Sequence, residues 1–332
     1  MSGTATLPNP DRFFEIRFES IGGFGAHAAG QILATAAVLR LDLNGAHFSS
    51  YGSEKKGSIV RSFVRLGASE KPIRTSSPIE SPDVVVVFHD ALLDHPETLA
   101  GFRTSGTLIY NSPKPEVPDA LEVLPRDVKV IRIDALKIAL EEKSRPNAVL
   151  LGTLCAAYPF LDPEVVLGAL SDEFASKHPE AVASNERAYR RGGSEFVQVE
   201  NPGTATGDLP IMRSGPVWGY DTAPLGGILP TPGNSVSNDL SASRTGWIPV
   251  LHRDKCIDCG LCDIVCPDMC LVWSSEGPDD EPTSVKLEGI DYRYCKGCLR
   301  CVETCSTEAM TKESEAPGMA DELRVPLFPE IK

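Results

Sequence analysis

The sequence has no run of about eighteen consecutive apolar residues, which is the length that a membrane-spanning helix needs. Residues 1–14 contain neither a basic segment nor an apolar segment, so they lack the pattern of a secretory signal. Positive charge is also scarce, because 32 Lys and Arg stand against 46 Asp and Glu, giving a net charge of −14. Phosphate binding needs basic patches, so this balance argues against a nucleic-acid partner. We therefore expect a cytoplasmic protein with no membrane and no nucleic-acid partner.

Cysteine is scarce in most of the chain and concentrated near its C-terminal end. Nine of the ten cysteines lie within residues 256–305. Because the beginning of the chain has no export pattern, a reducing compartment is expected, where dense cysteine indicates metal ligation more than disulfide bonds. Zinc is a poorer fit, since a zinc site uses four ligands in two pairs and this region has two longer runs.

Two cysteine runs, residues 256–266 and 295–305, share the spacing C-x2-C-x2-C-x3-C. This is the spacing of bacterial two-cluster ferredoxins, in which three close cysteines and the fourth cysteine of the other run hold each [4Fe–4S] cluster. The two-residue steps wrap a loop round one cluster, and the three-residue step begins a helix that carries the last thiolate to the other. The spacing predicts cluster 1, held by Cys256, Cys259, Cys262 and Cys305, and cluster 2, held by Cys295, Cys298, Cys301 and Cys266.

Cys270 belongs to neither run and lies four residues beyond Cys266. Its thiol is either a spare or replacement ligand of a cluster, or a small buried side chain on a helix face. The second interpretation is favoured, because a buried free cysteine commonly behaves as a small apolar residue.

Residues 13–192 alternate between strand and helix patterns. The alternating segment 13–20 is followed by a glycine-rich break and by an Ala- and Leu-rich helical segment at 26–41. The run DVVVVF at 83–88 is apolar throughout, which is typical of a strand covered on both faces. This alternation predicts an α/β fold, a Rossmann-like mostly parallel sheet domain, followed by a two-cluster ferredoxin-like α+β domain. Further strands are expected at 46–50, 58–66, 107–112 and 128–135, and three helical pieces within 147–191.

Residues 197–250 differ in composition from the rest, since fifteen of these 54 residues are Gly or Pro. Such a segment buries little apolar surface, so an extended linker is expected, with Trp218, Tyr220 and Leu225 favouring contact with a protein surface. The expected domains are an α/β domain at 1–196, a Gly/Pro-rich linker at 197–250, a two-cluster domain at 251–312 and an acidic tail at 313–332.

The first strand leads into the glycine-rich segment IGGFGAHAAG. Here Gly23, Gly25 and Ala28 fit a dinucleotide-binding fingerprint between a strand and a helix, where the helix N-terminus would favour a phosphate. The fingerprint also expects an acidic residue at the end of the next strand, and this chain has two serines and a tyrosine there. A tight turn in which only glycine fits is at least as good an interpretation.

Five segments carry a family pattern: GGFGAHAAGQILATAA, SSYGSEKKGSIVRSFVRLG, SPDVVVVFHDALL, RPNAVLLGTL and ASNERAYRRG. They resemble the gamma subunit of the 2-oxoacid:ferredoxin oxidoreductases, the pyruvate oxidoreductase family. The C-terminal segments TGWIPVLHRDKCIDCGLCDIVCPD and YCKGC are similar to the delta subunit of that family. The chain thus resembles a fused gamma–delta subunit, except over residues 197–240. It departs from the family at Phe24, where Gln is usual, and at Ser58, where a second Gly is usual.

The resemblance implies a complex that oxidatively decarboxylates a 2-oxoacid with thiamine diphosphate and Mg²⁺. Electrons leave such a complex singly through iron–sulfur clusters to ferredoxin, and coenzyme A collects the acyl group in typical members. This chain has no GDG-plus-Asn thiamine signature, so the resemblance implies that partner alpha and beta subunits hold that cofactor. The chain would be the electron-transfer and interface subunit in a dimer of heterotrimers. Related subunits serve pyruvate, oxalate, 2-oxoglutarate, branched-chain and aryl oxoacids, with selectivity expected to depend on the other chains.

The segment SYGSEKKG is the best candidate for a functional surface outside the cysteine runs, because binding residues tend to lie in loops between strands. Its candidate residues are Glu54, Lys55, Lys56 and the nearby Arg61. The basic side chains could meet the phosphates of coenzyme A or the carboxylates of a partner subunit. The alternative is a solvated charged turn.

Two other functions fit part of the sequence. An NAD(P)H-linked iron–sulfur reductase would use the glycine-rich turn, but the ribose-binding acid is missing. A non-enzymatic two-cluster electron carrier would use the α/β domain only for docking. The combination of the gamma pattern with the cysteine runs favours the oxidoreductase subunit.

Overall fold

A computed structural model describes residues 6–51, 57–212, 226, 239–276 and 284–329. The chain divides into two compact units, Met1–Thr222 and Ala223–Lys332, called here the first unit and the second unit. Within the described residues, no helix is both long enough and apolar enough to cross a lipid bilayer.

The described part of the first unit contains one sheet and a set of helices that pack on it. The strands are β1 (Phe14–Ile21), β2 (Leu43–Tyr51), β3 (Ile59–Ala68), β4 (Val84–Val87), β5 (Thr107–Asn111), β6 (Lys129–Ile133) and β7 (Val197–Val199). The helices are α1 (Ala26–Arg40), α2 (Pro96–Leu99), α3 (Ala135–Glu142), α4 (Pro146–Ala157), α5 (Pro163–Lys177) and α6 (Val182–Gly192).

The strands of this sheet follow the order β2-β3-β1-β4-β5-β6-β7. β1, β4, β5 and β6 are mutually parallel, and β2 shares their direction because both β1 and β2 run antiparallel to β3. Five of the seven strands therefore point the same way, which confirms the predicted mostly parallel α/β fold. The apolar strand Val84–Val87 lies between β1 and β5 and is fully buried, as its sequence predicted.

Helices α4 and α6 pack against each other through two glycines. A Cβ atom added at Gly152 would lie 2.0 Å from the carbonyl oxygen of Tyr189, and one added at Gly192 would lie 2.0 Å from that of Val149. The backbones of the two helices therefore approach too closely for any side chain at these positions. This close contact fixes α4 and α6 relative to each other in the helical part of the first unit.

The range predicted as a linker begins with ordered structure in the first unit. Val197–Val199 pairs antiparallel with β6, which satisfies backbone groups on that edge of the sheet. The side-chain amide of Asn201 then donates to the carbonyl oxygens of Pro125 and Val128 at 2.8 and 2.9 Å. Trp218, Tyr220 and Leu225, to which the prediction assigned surface contact, lie outside the described residues.

The second unit has two small antiparallel sheets among its described residues. They pair β9 (Leu271–Glu276) with β10 (Ser284–Ile290) and β8 (Trp247–Leu251) with β11 (Met310–Ser314). Its short helices are α7 (Leu261–Ile264), α8 (Arg300–Thr304) and α9 (Met319–Leu323). Each cysteine run thus gives a loop, a short helix and then a strand, which agrees with the predicted ferredoxin-like α+β domain.

The described part of the acidic tail packs on the rest of the second unit, to which it belongs. Arg324 forms an ion pair of 2.6 Å with Asp291, whose carboxylate also accepts a hydrogen bond from the backbone N–H of Leu327. Burial raises the pKa of Asp291, but Arg324 and the backbone donors outweigh it and lower the pKa overall. The ring of Phe328 meets Tyr294 edge-on with centroids 5.9 Å apart. The buried acid therefore fixes residues that composition alone predicted as a tail.

We predict that Gly152→Ala destabilises the first unit. Alanine is the better helix former by about 1 kcal/mol, but overpacking against a backbone oxygen costs about 1–3 kcal/mol, and a 2.0 Å approach favours the larger cost. The melting temperature of the first unit should fall by several degrees, as measured by circular dichroism on the full chain. Gly207→Ala is the matched control, because nothing lies within 4 Å of its added Cβ. Equal melting temperatures for both variants would contradict the close helix approach.

Candidate functional site

The second unit contains two cavities, each lined by four of the cysteines that the spacing grouped together. They are called here cavity 1 and cavity 2. Apolar side chains complete the lining of both, including Trp273 and Leu287 in cavity 1 and Leu271 and Ile290 in cavity 2. The cysteines of cavity 1 are Cys256, Cys259, Cys262 and Cys305, and those of cavity 2 are Cys266, Cys295, Cys298 and Cys301.

The two cysteine loops reach this arrangement with the same backbone geometry. In the first loop Asp258 and Gly260 have φ angles of 55° and 73°. In the second loop Gly297 and Leu299, at the equivalent positions, have φ angles of 64° and 63°. Left-handed backbone at these two positions turns the chain round the cavity, at a steric cost for the residues that carry a Cβ. The shared strain indicates that the loops are shaped to direct several cysteines toward one centre.

The four cysteines that line each cavity match the donor set of a [4Fe–4S] cluster. Among the residues that the structure describes, no three His, Cys, Asp or Glu side chains converge closely enough to hold one metal ion. Zinc would require four ligands within about 2.3 Å of one centre. A [4Fe–4S] cluster is held by four thiolates distributed round its surface. Four cysteines round an apolar cavity therefore fit this group.

Ion pairs brace the loops next to both cavities. At cavity 1, Arg253 pairs with Asp258 at 2.6 Å, and the same carboxylate accepts from the backbone N–H of Leu287 at 2.9 Å. The Arg253 guanidinium and that N–H group lower the pKa of Asp258 to about 2. At cavity 2, Lys296 and Asp268 form a buried pair at 3.1 Å. The spacing of the cysteines gave no indication of these charged partners.

Arg244 links the region before the first run to the second run. Its side chain is 6% exposed, pairs with Glu315 at 2.8 Å and donates to the carbonyl oxygens of Tyr292 and Cys295 at 2.7 and 3.0 Å. A buried arginine with all these acceptors holds the start of the second cysteine loop in place. Nothing in the local sequence pattern predicted this role.

The side chain of Phe24 fills the glycine-rich turn of the first unit. Gly23 and Gly25 have φ angles of 111° and 87°, and a Cβ on Gly25 would lie 2.8 Å from Asn147 Cγ. Phe24 is fully buried and meets His89 edge-on with ring centroids 6.1 Å apart. Ligands of α/β sheets bind beyond the carboxyl ends of neighbouring strands, which is where these two rings pack. The geometry supports the tight-turn interpretation over nucleotide binding.

Only one of the candidate residues near SYGSEKKG lies in the described part of the chain. Arg61 lies in β3 and contacts Glu19 at 3.0 Å and Glu97 at 2.8 Å. Glu19 is 1% exposed, and burial raises its pKa against the pull of Arg17 and Arg61. Arg61 therefore has two carboxylate partners within its own chain. Glu54, Lys55 and Lys56 fall outside the described residues, so their role stays a prediction.

A histidine pair that sequence reasoning missed lies between α1 and β2. His47 Nε2 is 2.9 Å from Ser62 Oγ, His27 Nδ1 is 3.1 Å from Ser49 Oγ, and the two rings are 4.9 Å apart. Burial, followed by the neighbouring His27, lowers the pKa of His47 to about 4. A sequence feature that could have indicated this histidine pair is the alternation of polar side chains along β2.

Comparison with known proteins gives a separate match for each of the two units. Residues 15–195 match the family model for pyruvate ferredoxin/flavodoxin oxidoreductase, and residues 255–317 match that for a 4Fe-4S dicluster domain. Pyruvate synthase subunit PorC of Thermotoga maritima is 35% identical over 57% of this chain and 97% of its own length. The pyruvate/ketoisovalerate oxidoreductases common subunit gamma of Thermococcus litoralis is 35% identical over 56% of this chain and 98% of its own length.

A solved structure gives a similar extent of likeness. The crystal structure of pyruvate oxidoreductase subunit PORC from Thermotoga maritima shares 32% identity, covers 57% of this chain and 99% of its own, and has a TM-score of 0.49. The family match spans more than half of the present chain, and the second match covers both cysteine runs. This chain therefore belongs to the pyruvate ferredoxin/flavodoxin oxidoreductase family, as a gamma-type subunit joined to a 4Fe–4S dicluster domain.

Proposed function

We propose that this chain carries electrons out of a thiamine-diphosphate-dependent 2-oxoacid:ferredoxin oxidoreductase complex and joins that function to the complex's catalytic subunits. The observation that carries the proposal is the pair of four-cysteine cavities in a chain whose first unit is of the gamma type. The gamma-type unit supplies the docking surface, and the second unit supplies the electron path.

Each cavity would hold one [4Fe–4S] cluster through its four cysteines. When bound, such clusters accept and release one electron at a time at potentials that their surroundings set. The residues of this chain bind the iron, orient the loops and keep water out. The ion pairs Arg253–Asp258 and Lys296–Asp268 place charge beside cavity 1 and cavity 2 respectively. Because hydrogen bonding, net charge and exposure tune cluster potentials, these pairs would contribute to the potential of each cluster.

The decarboxylation itself belongs to partner subunits in this proposal. Thiamine diphosphate and Mg²⁺ would be held by alpha and beta subunits, since the sequence has no GDG-plus-Asn signature. The name of the Thermococcus litoralis relative describes a gamma subunit common to pyruvate and ketoisovalerate oxidoreductases. A shared gamma subunit supports an arrangement in which other chains select the oxoacid. The substrate class is therefore a 2-oxoacid, and the assembly would be a dimer of heterotrimers.

The compartment, the electron acceptor and the contact segment of the complex are proposed on the same chemistry. The proposed compartment is the cytoplasm, because cluster ligation needs reduced cysteines and an oxidising compartment would favour disulfide bonds. Ferredoxin is the proposed acceptor, because a one-electron donor needs a one-electron acceptor. The segment containing Glu54, Lys55 and Lys56 is the proposed contact for coenzyme A or for a partner subunit. Arg61 fits a bracing role there, since Glu19 and Glu97 hold its guanidinium.

The test is to tag the chain in its native cell, purify it without oxygen and assay viologen reduction with a panel of 2-oxoacids. We expect partner proteins and thiamine diphosphate to co-purify and one acid or acid class to drive reduction. Omitting the oxoacid is the internal control. A brown protein that purifies without partners and without oxoacid activity would refute the complex and leave an isolated electron carrier.

We predict that Cys256→Ser and Cys298→Ser each remove one cluster from the full chain. Iron should fall from about eight to about four atoms per chain in either variant, because each loses a ligand of a different cluster. Iron analysis and electron paramagnetic resonance of the reduced protein measure this, and the surviving signal should differ between the two variants. Cys155→Ser is the matched control, since Cys155 is buried in α4 of the first unit. An identical surviving signal in both variants would contradict the two-site assignment.

A further inference from the structure

Cavity 2 contains a fifth cysteine. Cys270 lines it together with the four proposed ligands, and the residue is 4% exposed. Its Sγ atom lies 3.6 Å from Cys266 Sγ. The thiol therefore lines the same cavity as the four proposed ligands, and it lies just before β9 and not on a helix face.

The internal repeat of the second unit offers a direct comparison. Cys270 follows Cys266 by four residues and immediately precedes β9, which begins at Leu271. Ala309 follows Cys305 by four residues and immediately precedes β11. Ala309 is 2% exposed and lines cavity 1, as Cys270 lines cavity 2. A methyl group is thus enough to fill this position in one half of the repeat, so the sulfur in the other half is not needed for packing.

We propose that Cys270 is an alternative ligand of cluster 2 that can bind iron in place of Cys266. The inference rests on the proposed assignment of the cysteines to two clusters. In the exchange, the sulfur of Cys270 loses its proton as it binds iron, while the bond between iron and the sulfur of Cys266 breaks and that sulfur takes a proton. One iron–sulfur bond replaces another, and no electron is gained or lost.

The distances suit this exchange. A sulfur 3.6 Å from the sulfur that it replaces needs only a small displacement of a short side chain. The backbone of Cys270 is held, because its carbonyl oxygen accepts a hydrogen bond of 2.8 Å from the N–H of Asp291. The carboxylate of Asp268 also lines the cavity, but it pairs with Lys296 at 3.1 Å. The thiol of Cys270 is therefore the better substitute for a lost cysteine ligand.

The test compares ligand removal in the two halves of the repeat, in full chains purified without oxygen. Cys266→Ala should keep both clusters, with about eight iron atoms per chain, because Cys270 replaces the missing sulfur. Cys266→Ala combined with Cys270→Ala should retain about four. Cys305→Ala is the matched control and should also retain about four, since Ala309 offers no sulfur. Adding Ala309→Cys to Cys305→Ala should restore cluster 1.

Spectroscopy gives the second measurement. The electron paramagnetic resonance signal of the reduced cluster 2 should persist in Cys266→Ala with altered g values, because one ligand has changed. Cys270→Ala alone should keep both clusters. The cluster 1 signal reports in every cavity 2 variant that the second unit has folded.

Two results would overturn the inference. One is a Cys266→Ala protein that loses cluster 2 as fully as Cys305→Ala loses cluster 1, with the cluster 1 signal intact. The other is a Cys270→Ala protein that loses cluster 2 by itself, which would make Cys270 a required residue. Neither result affects the proposed function, which fails instead if the unmodified chain lacks two clusters or if Cys256→Ser and Cys298→Ser remove the same one.

Discussion

Each cavity of the second unit is lined by three cysteines of one run and one cysteine of the other, and this exchange connects the two halves of the unit. Cys305 reaches back to the cavity of the first run, and Cys266 reaches forward to the cavity of the second. Neither half of the repeat can therefore complete its own site. A unit this small has a limited apolar core, so metal ligation and folding are expected to be coupled. The core that does exist, including Ile248, Leu287 and Tyr292, surrounds the same cysteines.

Ion pairs hold the loops whose backbone the cavities strain, and they are buried at Arg244–Glu315 and partly exposed at Arg253–Asp258. Such pairs contribute little net stability, because desolvation offsets most of the attraction of a buried pair and solvent screens an exposed one. Their role in this protein is to hold the loops in position. Arg244 fixes the carbonyl of Cys295 at the start of one loop, while Asp258 ties the other loop to the backbone of Leu287. In the first unit, Glu19 draws Arg17 and Arg61 together in the same way. Both units thus use internal charge to position loops.

The sequence was informative where a pattern is local. The period of two in β1, the apolar run of β4 and the cysteine spacing each predicted structure from neighbouring residues, because those signals depend on burial or on loop length. Contacts between distant residues left no such signal. The pairing of β7 with β6 and the capture of Arg324 by Asp291 join segments whose composition indicated only a linker and a tail. The position of Cys270 was likewise not determined by a local pattern, since the sequence favoured a buried thiol on a helix face and the residue lies just before β9 and lines cavity 2.

The first unit shows why a motif needs its surroundings before it implies a function. Its turn has the glycines of a dinucleotide site, and their positive φ angles and the close approach of Asn147 account for them without a ligand. Phe24 then packs against His89 at the strand ends where a nucleotide would have to enter. A shared fold carries many functions, and the site decides among them. In this chain the candidate site is the pair of cysteine cavities, and the role that we propose for the α/β unit is to attach an electron path to a catalyst.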